Sequence, residues 1–285
     1  MAGFSSKLDT RFREARLFTS FPVFLNRDVA STVSLFRTRE TLPDIVSNTW
    51  GVTLKQQWRL RDFYLLSYDY SYRRVGTFEA DKTEDNPEIL DQVVPIARFN
   101  ATITRDTRDD IFNATRGTLL SNSFDFAPPG IGSSIKYIRN FAQYLRFREV
   151  RPNLVWASAY RVGLARGFGG SNLVPSDQFT AGGPTTLRAF INNESVLKPG
   201  NAMFVMNQEL RYPLFWRFGV VGFFDVGNIY ERIGTANIFR QRYSPGFGLR
   251  LETPFILLRM DLGLNLWPRT GEDRRGFSFG IGQAF

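Results

Sequence analysis

The run at residues 256–266, ILLRMDLGLNL, constrains this chain more than any other stretch. Ile256, Leu258, Met260, Leu262, Leu264 and Leu266 fall on one side of an extended chain, and Arg259, Asp261 and Asn265 fall on the other. A period of two without a slip means a β-strand. A complete apolar stripe backed by ionised residues suits lipid on one face and water on the other. A length of about ten residues is what a tilted strand needs to cross a bilayer. Taken alone, the stripe could also be the buried face of a soluble sheet.

Window hydropathy conceals this pattern. The mean hydropathy is −0.22, and no run approaches the roughly 20 apolar residues of a membrane helix. Aromatics nevertheless make up 15% of the 285 residues, many of them in alternation. Tyr64, Leu66, Tyr68, Tyr70 and Tyr72 share one face, with Ser67, Asp69, Ser71 and Arg73 opposite. The same reading places strands at residues 7–18, 29–39, 47–60, 62–75, 94–106, 116–126, 135–148 and 153–166. Five more follow at 201–212, 217–227, 244–253, 255–267 and 276–285. The acidic, aperiodic stretch 79–92 reads as an exposed loop. That gives about thirteen strands, eight before and five after a long irregular segment at 167–200. Irregular segments of that length in compact domains are functional or disordered.

Composition removes several function classes. The chain has no cysteine and no histidine, so it has no disulfide framework, no thiolate metal site and no Ser-His-Asp triad. Neither a metal nor a cofactor is expected. The formal charge of +9 is the excess of 36 basic over 27 acidic residues, and of the basic residues only Lys7, Lys55, Lys82, Lys136 and Lys198 are lysine. The arginines alternate with apolar residues instead of forming a tract, which suits the watery interior of a barrel better than a nucleic-acid surface. No nucleic-acid partner is expected. The N-terminus, MAGFSSKLDTRFREAR, has no apolar core of a signal peptide, which implies a mature or N-terminally shortened chain.

Inside the long segment, FTAGGPTTLRAF (179–190) places Gly182, Gly183 and Pro184 ahead of Arg188, which sits between the apolar Leu187 and the pair Ala189 and Phe190. Paired glycines and a proline dictate backbone shape, so the stretch reads as a holder for one guanidinium. Two later strands offer anions. Glu209 shares a face with Asn207 and Arg211, and Asp225 lies among apolar residues where only an inward orientation is affordable. At the C-terminus, GFSFGIGQAF sets Phe277, Phe279, Ile281 and Phe285 on one face and Ser278, Gly280, Gly282 and Ala284 on the other.

FTAGGPTTLRAF, QELRYP, FFDVGN, the hairpin string RDTRDDIFNATRG (105–117) and the C-terminal run closely resemble motifs of the BamA/TamA-type outer-membrane assembly and translocation factors. The resemblance implies an all-β fold, an antiparallel transmembrane β-barrel of the sixteen-strand type. Eleven strands would precede a lid loop (167–200) and five would follow it. Three strands and all periplasmic repeats would then precede residue 7; a twelve- or fourteen-strand barrel is the alternative. It further implies that Arg188 is pinned to Glu209 and Asp225. Gly182 and Gly183 match the lid turn, Leu187 and Phe190 flank the arginine, and Gly227 belongs to the FFDVGN motif. Ala189 stands where the family has glycine, and is expected to be strained if that position needs a positive φ. Ser278, Gly280 and Phe285 match the terminal strand signal, with Gln283 where an apolar residue is usual. The implied role is non-enzymatic: inserting barrel clients at a seam between last and first strands, in the outer membrane of a Gram-negative-type bacterium. The implied partners are membrane lipid, unfolded outer-membrane or secreted polypeptides, periplasmic repeat domains and accessory proteins. A polypeptide-secretion pore of the same superfamily is the alternative, and a passive diffusion porin is the reading from another class. A fused phospholipase would need a nucleophile domain that this sequence lacks.

Overall fold

A computed structural model describes residues 1–9, 12–22, 29–42, 45–79, 93–191, 197–237, 239–253 and 256–285. The strands are β1 (Ala2–Leu8), β2 (Phe12–Phe21), β3 (Val29–Leu42), β4 (Ile45–Arg61), β5 (Tyr64–Glu79), β6 (Val94–Asp106), β7 (Gly117–Ala127), β8 (Tyr137–Arg151) and β9 (Leu154–Gly167). Two short strands follow, β10 (Phe179–Ala181) and β11 (Leu197–Gly200). The last five are β12 (Ala202–Pro213), β13 (Phe218–Tyr230), β14 (Arg242–Glu252), β15 (Leu257–Leu264) and β16 (Arg275–Ile281). Fourteen of them make one sheet in sequence order, β1 to β9 and then β12 to β16, while β10 and β11 pair separately.

The sheet therefore holds nine strands before the long segment, where the sequence reading expects eight. The expected strand at 7–18 is replaced by two. The chain turns at Asp9, whose N–H donates to the Phe12 carbonyl at 2.8 Å, and β1 pairs back on β2 from Ala2↔Thr19 to Leu8↔Arg13. β1 escapes pattern reading because SSK interrupts its apolar alternation. Among its described residues, the segment 167–200 carries β10, β11 and one 3-10 turn at Pro175–Asp177. The acidic loop at 79–92 lies almost wholly outside the described residues.

By contacts the chain divides into two units. The first comprises Met1–Thr104, Asn122–Asn140 and Ala165–Gln178. Its lipid-type face carries Trp50, Leu54, Trp58, Tyr68 and Phe99, all exposed, and its other face is polar. There Asp125 is buried and accepts from Asn100 at 2.8 Å and from Arg139 at 3.0 Å. Asp177, in the 3-10 turn, is buried against Arg73 of β5, beside the fully buried Tyr137.

The second unit comprises Arg105–Ser121, Phe141–Leu164 and Phe179–Phe285. In β15 and the residue after it the expected alternation is realised: Met260 and Leu264 are exposed, whereas Arg259, Asp261 and Asn265 are buried. The buried, inward face is the one against which residues 179–190 lie. The charged turn between β6 and β7 is tied by Asp109, which accepts from the N–H groups of Thr115 (2.9 Å) and Arg116 (3.1 Å) and the Thr115 hydroxyl (2.5 Å). Burial raises the Asp109 pKa, but these bonds outweigh it and hold the carboxyl below its ordinary value.

Candidate functional site

The site is built from alternation and register. Period two turns Asn207, Glu209 and Arg211 of β12 inward, along with Phe223 and Asp225 of β13. Antiparallel pairing sets Asn207 directly opposite Asp225. In β14 and β15, Arg250 and Asp261 also turn inward. Three carboxylates thus converge on one region of the wall.

The loop supplies the cation. Gly182 (φ 114°) and Gly183 (φ 107°) sit in the backbone region that other residues resist. The Gly182 N–H is held by the Thr186 hydroxyl at 3.0 Å. Wall side chains grip this turn: Arg259 donates to the Pro184 carbonyl at 3.1 Å and Asn207 to the Thr186 carbonyl at 2.5 Å. Leu187, Ala189 and Phe190 are buried on either side of Arg188, which is only 1% exposed.

Each donor group of Arg188 finds an acceptor. Its Nε and backbone N–H reach Asp225 Oδ2 at 2.9 and 3.1 Å, and its Nη2 reaches Oδ1 at 2.7 Å. Its Nη1 reaches Glu209 Oε1 at 2.5 Å, and Asp261 stands 3.9 Å from the same nitrogen. The guanidinium lies over the Phe223 ring at 3.4 Å. Bidentate, charge-assisted bonds of this kind are short and directional. Burial alone would lower the pKa of Arg188, but the Asp225 hydrogen bonds and the three nearby negative charges reverse that and hold it above the usual arginine value.

The structure thus brings Arg188, Glu209 and Asp225 together, with Gly182, Gly183, Leu187 and Phe190 around them. The sequence reading did not assign Asn207, Phe223, Ser244, Arg250 or Asp261 to the site. Inward parity on β12 to β15 was the available signal, but which inward residues meet depends on register. Asp261 is itself held by Arg250 at 2.7 Å, and Glu209 by Arg211 at 2.7 Å.

Two expectations need correction. Ala189 is not strained by a positive φ; the described non-glycine residues with that backbone are Asn153 and Trp216. Its N–H donates to the Ser244 hydroxyl at 2.7 Å. The tight fit is met on the wall instead: a Cβ on Gly263 would lie 2.6 Å from the Ala189 nitrogen, and one on Gly276 would lie 2.5 Å from the Arg188 carbonyl oxygen. Gly227 lies inside β13, opposite Val205, where a Cβ would crowd the Phe204 carbonyl.

Phe285 does not continue the outward face of β16. The strand stops at Ile281, and Gly282 turns the chain with φ 81°. Gln283 then accepts from Arg250 at 3.1 Å and donates to Asn113 at 3.0 Å. The Phe285 ring packs against Phe147, 6.4 Å between centroids, and its carbonyl accepts from Arg211 at 3.2 Å. The polar Gln283, out of place in a lipid-facing strand, is the residue that ties this inward tail. Ser278 and Gly280 do remain in β16, opposite Asp261 and Arg259, and Gly280 leaves space for the Arg259 side chain.

Comparison with known proteins places this geometry. The chain is 25% identical over 271 residues to the outer membrane protein assembly factor BamA of Nitratidesulfovibrio vulgaris, covering 87% of this chain and 33% of that protein. The chain therefore spans about a third of the length of that curated relative. Its fold is similar to BamA from Haemophilus ducreyi lacking POTRA domains 1–3, with a TM-score of 0.84 at 15% identity over 99% of this chain and 64% of that one. It is also similar to CdiB from Escherichia coli, with a TM-score of 0.64 at 14% identity over 95% and 52% of the two chains. Residues 2–285 match the Omp85 superfamily domain. The chain is an integral outer-membrane protein of the β-barrel class and belongs to the Omp85 superfamily.

Proposed function

We propose that this chain is the membrane-embedded part of a non-enzymatic outer-membrane assembly factor, inserting β-barrel clients at the seam between its last and first strands. The observation that carries the reading is Arg188, buried and bonded to both Glu209 and Asp225. A passive pore has no use for a loop clamped by a desolvated ion network, since such networks add little to stability over apolar packing. A loop that must hold one position while a neighbouring strand edge exchanges partners does have that use. β16 ends the strand order and is only seven residues long, and an unpaired edge of this kind can template an incoming strand. Unfolded barrel polypeptides, periplasmic repeat domains and accessory proteins are the partners this role needs.

The test is insertion of an unfolded barrel client into liposomes containing the full-length gene product, set against Arg188→Ala and Asp225→Ala. Acceleration by the wild type and its loss in both folded variants is the expected outcome. The likeness to CdiB favours a second reading, passage of a polypeptide through the interior under the lid. That reading takes over if no protein accelerates insertion and both variants conduct ions more readily than the wild type.

A further inference from the structure

At the loop end of β14 and β15, within the second unit, a cleft of about 460 Å³ opens between Arg240, Arg242, Tyr243, Asn265, Trp267 and Arg269. It borders the loop without including Arg188, Glu209 or Asp225: the Arg242 guanidinium lies over the Phe190 ring at 5.5 Å. Three guanidinium groups face one space. Arg242 is buried and bonded to Glu272, and its Nη1 donates to the Trp267 carbonyl at 3.3 Å. Its Nε meets no acceptor among the described residues. Arg240 and Arg269 are exposed and carry no ion pair among the described residues. The charge of Arg269 is close enough to repel that of Arg242. Glu272 answers the charge of Arg242.

The surroundings identify what kind of anion fits. Tyr243 and Trp267 meet edge to face at 5.2 Å, and Phe224 packs on Tyr243 at 6.1 Å. Tyr243 belongs to the outward parity of β14, in line with the exposed Phe247 and Leu249. Aromatic rings at a strand end, with arginines just beyond an aliphatic face, mark the level of lipid headgroups. Guanidinium forks match phosphate oxygens in geometry and charge.

We propose that this cleft binds the phosphate of a membrane-lipid headgroup, with Arg240 and Arg269 as its exposed arms, Arg242 as its buried floor, and Tyr243 and Trp267 against the upper acyl region. This site requires only that the chain span the outer membrane.

The test compares the full-length wild-type protein with Arg240→Ala/Arg269→Ala in detergent, using native mass spectrometry to count retained lipid. The alanines keep the backbone N–H of residue 269, which caps Glu272. The probes are phosphatidic acid, diacylglycerol with the same acyl chains, and soluble glycerol phosphate. The wild type is expected to retain phosphatidic acid about tenfold better than diacylglycerol, and the double variant to lose that preference. A glutamine pair, Arg240→Gln/Arg269→Gln, serves if the alanine variant fails to fold. Equal retention of the two lipids by the wild type, or an undiminished preference in a folded variant, would overturn the proposal. Glycerol phosphate binding as well as phosphatidic acid would overturn its lipid half, leaving a plain anion site.

Discussion

A guanidinium withdrawn from water stays charged where its nitrogens find acceptors, and each of the three side-chain nitrogens of Arg188 does so on one of two carboxylates. Lysine cannot reproduce the fork, because it presents one compact charge instead of a planar array. Arg188→Lys is therefore expected to free residues 182–190 for proteolysis nearly as much as Arg188→Ala, which limited digestion of the folded protein in detergent would reveal. Asp225→Ala leaves the arginine buried with one main partner fewer, and a loss of about 3–5 kcal/mol is expected from such a break; urea midpoints in detergent measure it. Gly276→Ala asks a different question. Its new methyl would meet the backbone of Arg188, so overpacking of about 1–3 kcal/mol is expected, with residues 182–190 displaced although every charge remains.

At the scale of elements, the strands after the long segment were legible because lipid and water impose opposite residues on alternate positions, as in β15. The lid motif singled out Arg188, and parity singled out Glu209 and Asp225. Parity could not reveal that Asp261 and Asn207 join them, because the pairing Asn207↔Asp225 is a fact of register. The inward turn at Gly282 was hidden for a related reason: a strand pattern continues through Phe285 on paper, and only packing against Phe147 shows that it stops. The loop after β15 offers a pH test. Glu272 is held below its ordinary pKa; burial opposes this, but bonds from the Arg269 N–H and Asn265 and the charge of Arg242 prevail. A depressed carboxyl stabilises above its unfolded pKa, about 4.3, and loses that contribution as pH falls through the folded value. The chain has no cysteine, so a spin label at Thr270→Cys reports this loop alone. Its mobility is expected to rise as pH drops from about 5 to 3, and Glu272→Gln should be mobile throughout.

For the whole molecule, the ion network and the strand edge belong to one unit, so disturbing the first is expected to register at the second. Arg211 binds Glu209 of the clamp and the Phe285 carbonyl of the tail. Arg211→Ala should therefore loosen both: planar-bilayer recordings are expected to show larger and more frequent openings than in the wild type, and a fluorophore on Ala284→Cys should become accessible to aqueous quencher. An unchanged quenching rate would separate tail from clamp. The turn at Gly282 also sets how firmly β16 can hold a visitor. Because the chain leaves the sheet after Ile281, only seven residues remain as an edge, and in antiparallel pairing about half of these aim their N–H and C=O groups at a newcomer. Under the proposed role, a guest strand docked there would be gripped by few rungs and could be handed on; departure, and with it repeated use of the same site, would be favoured by the brevity of the ladder.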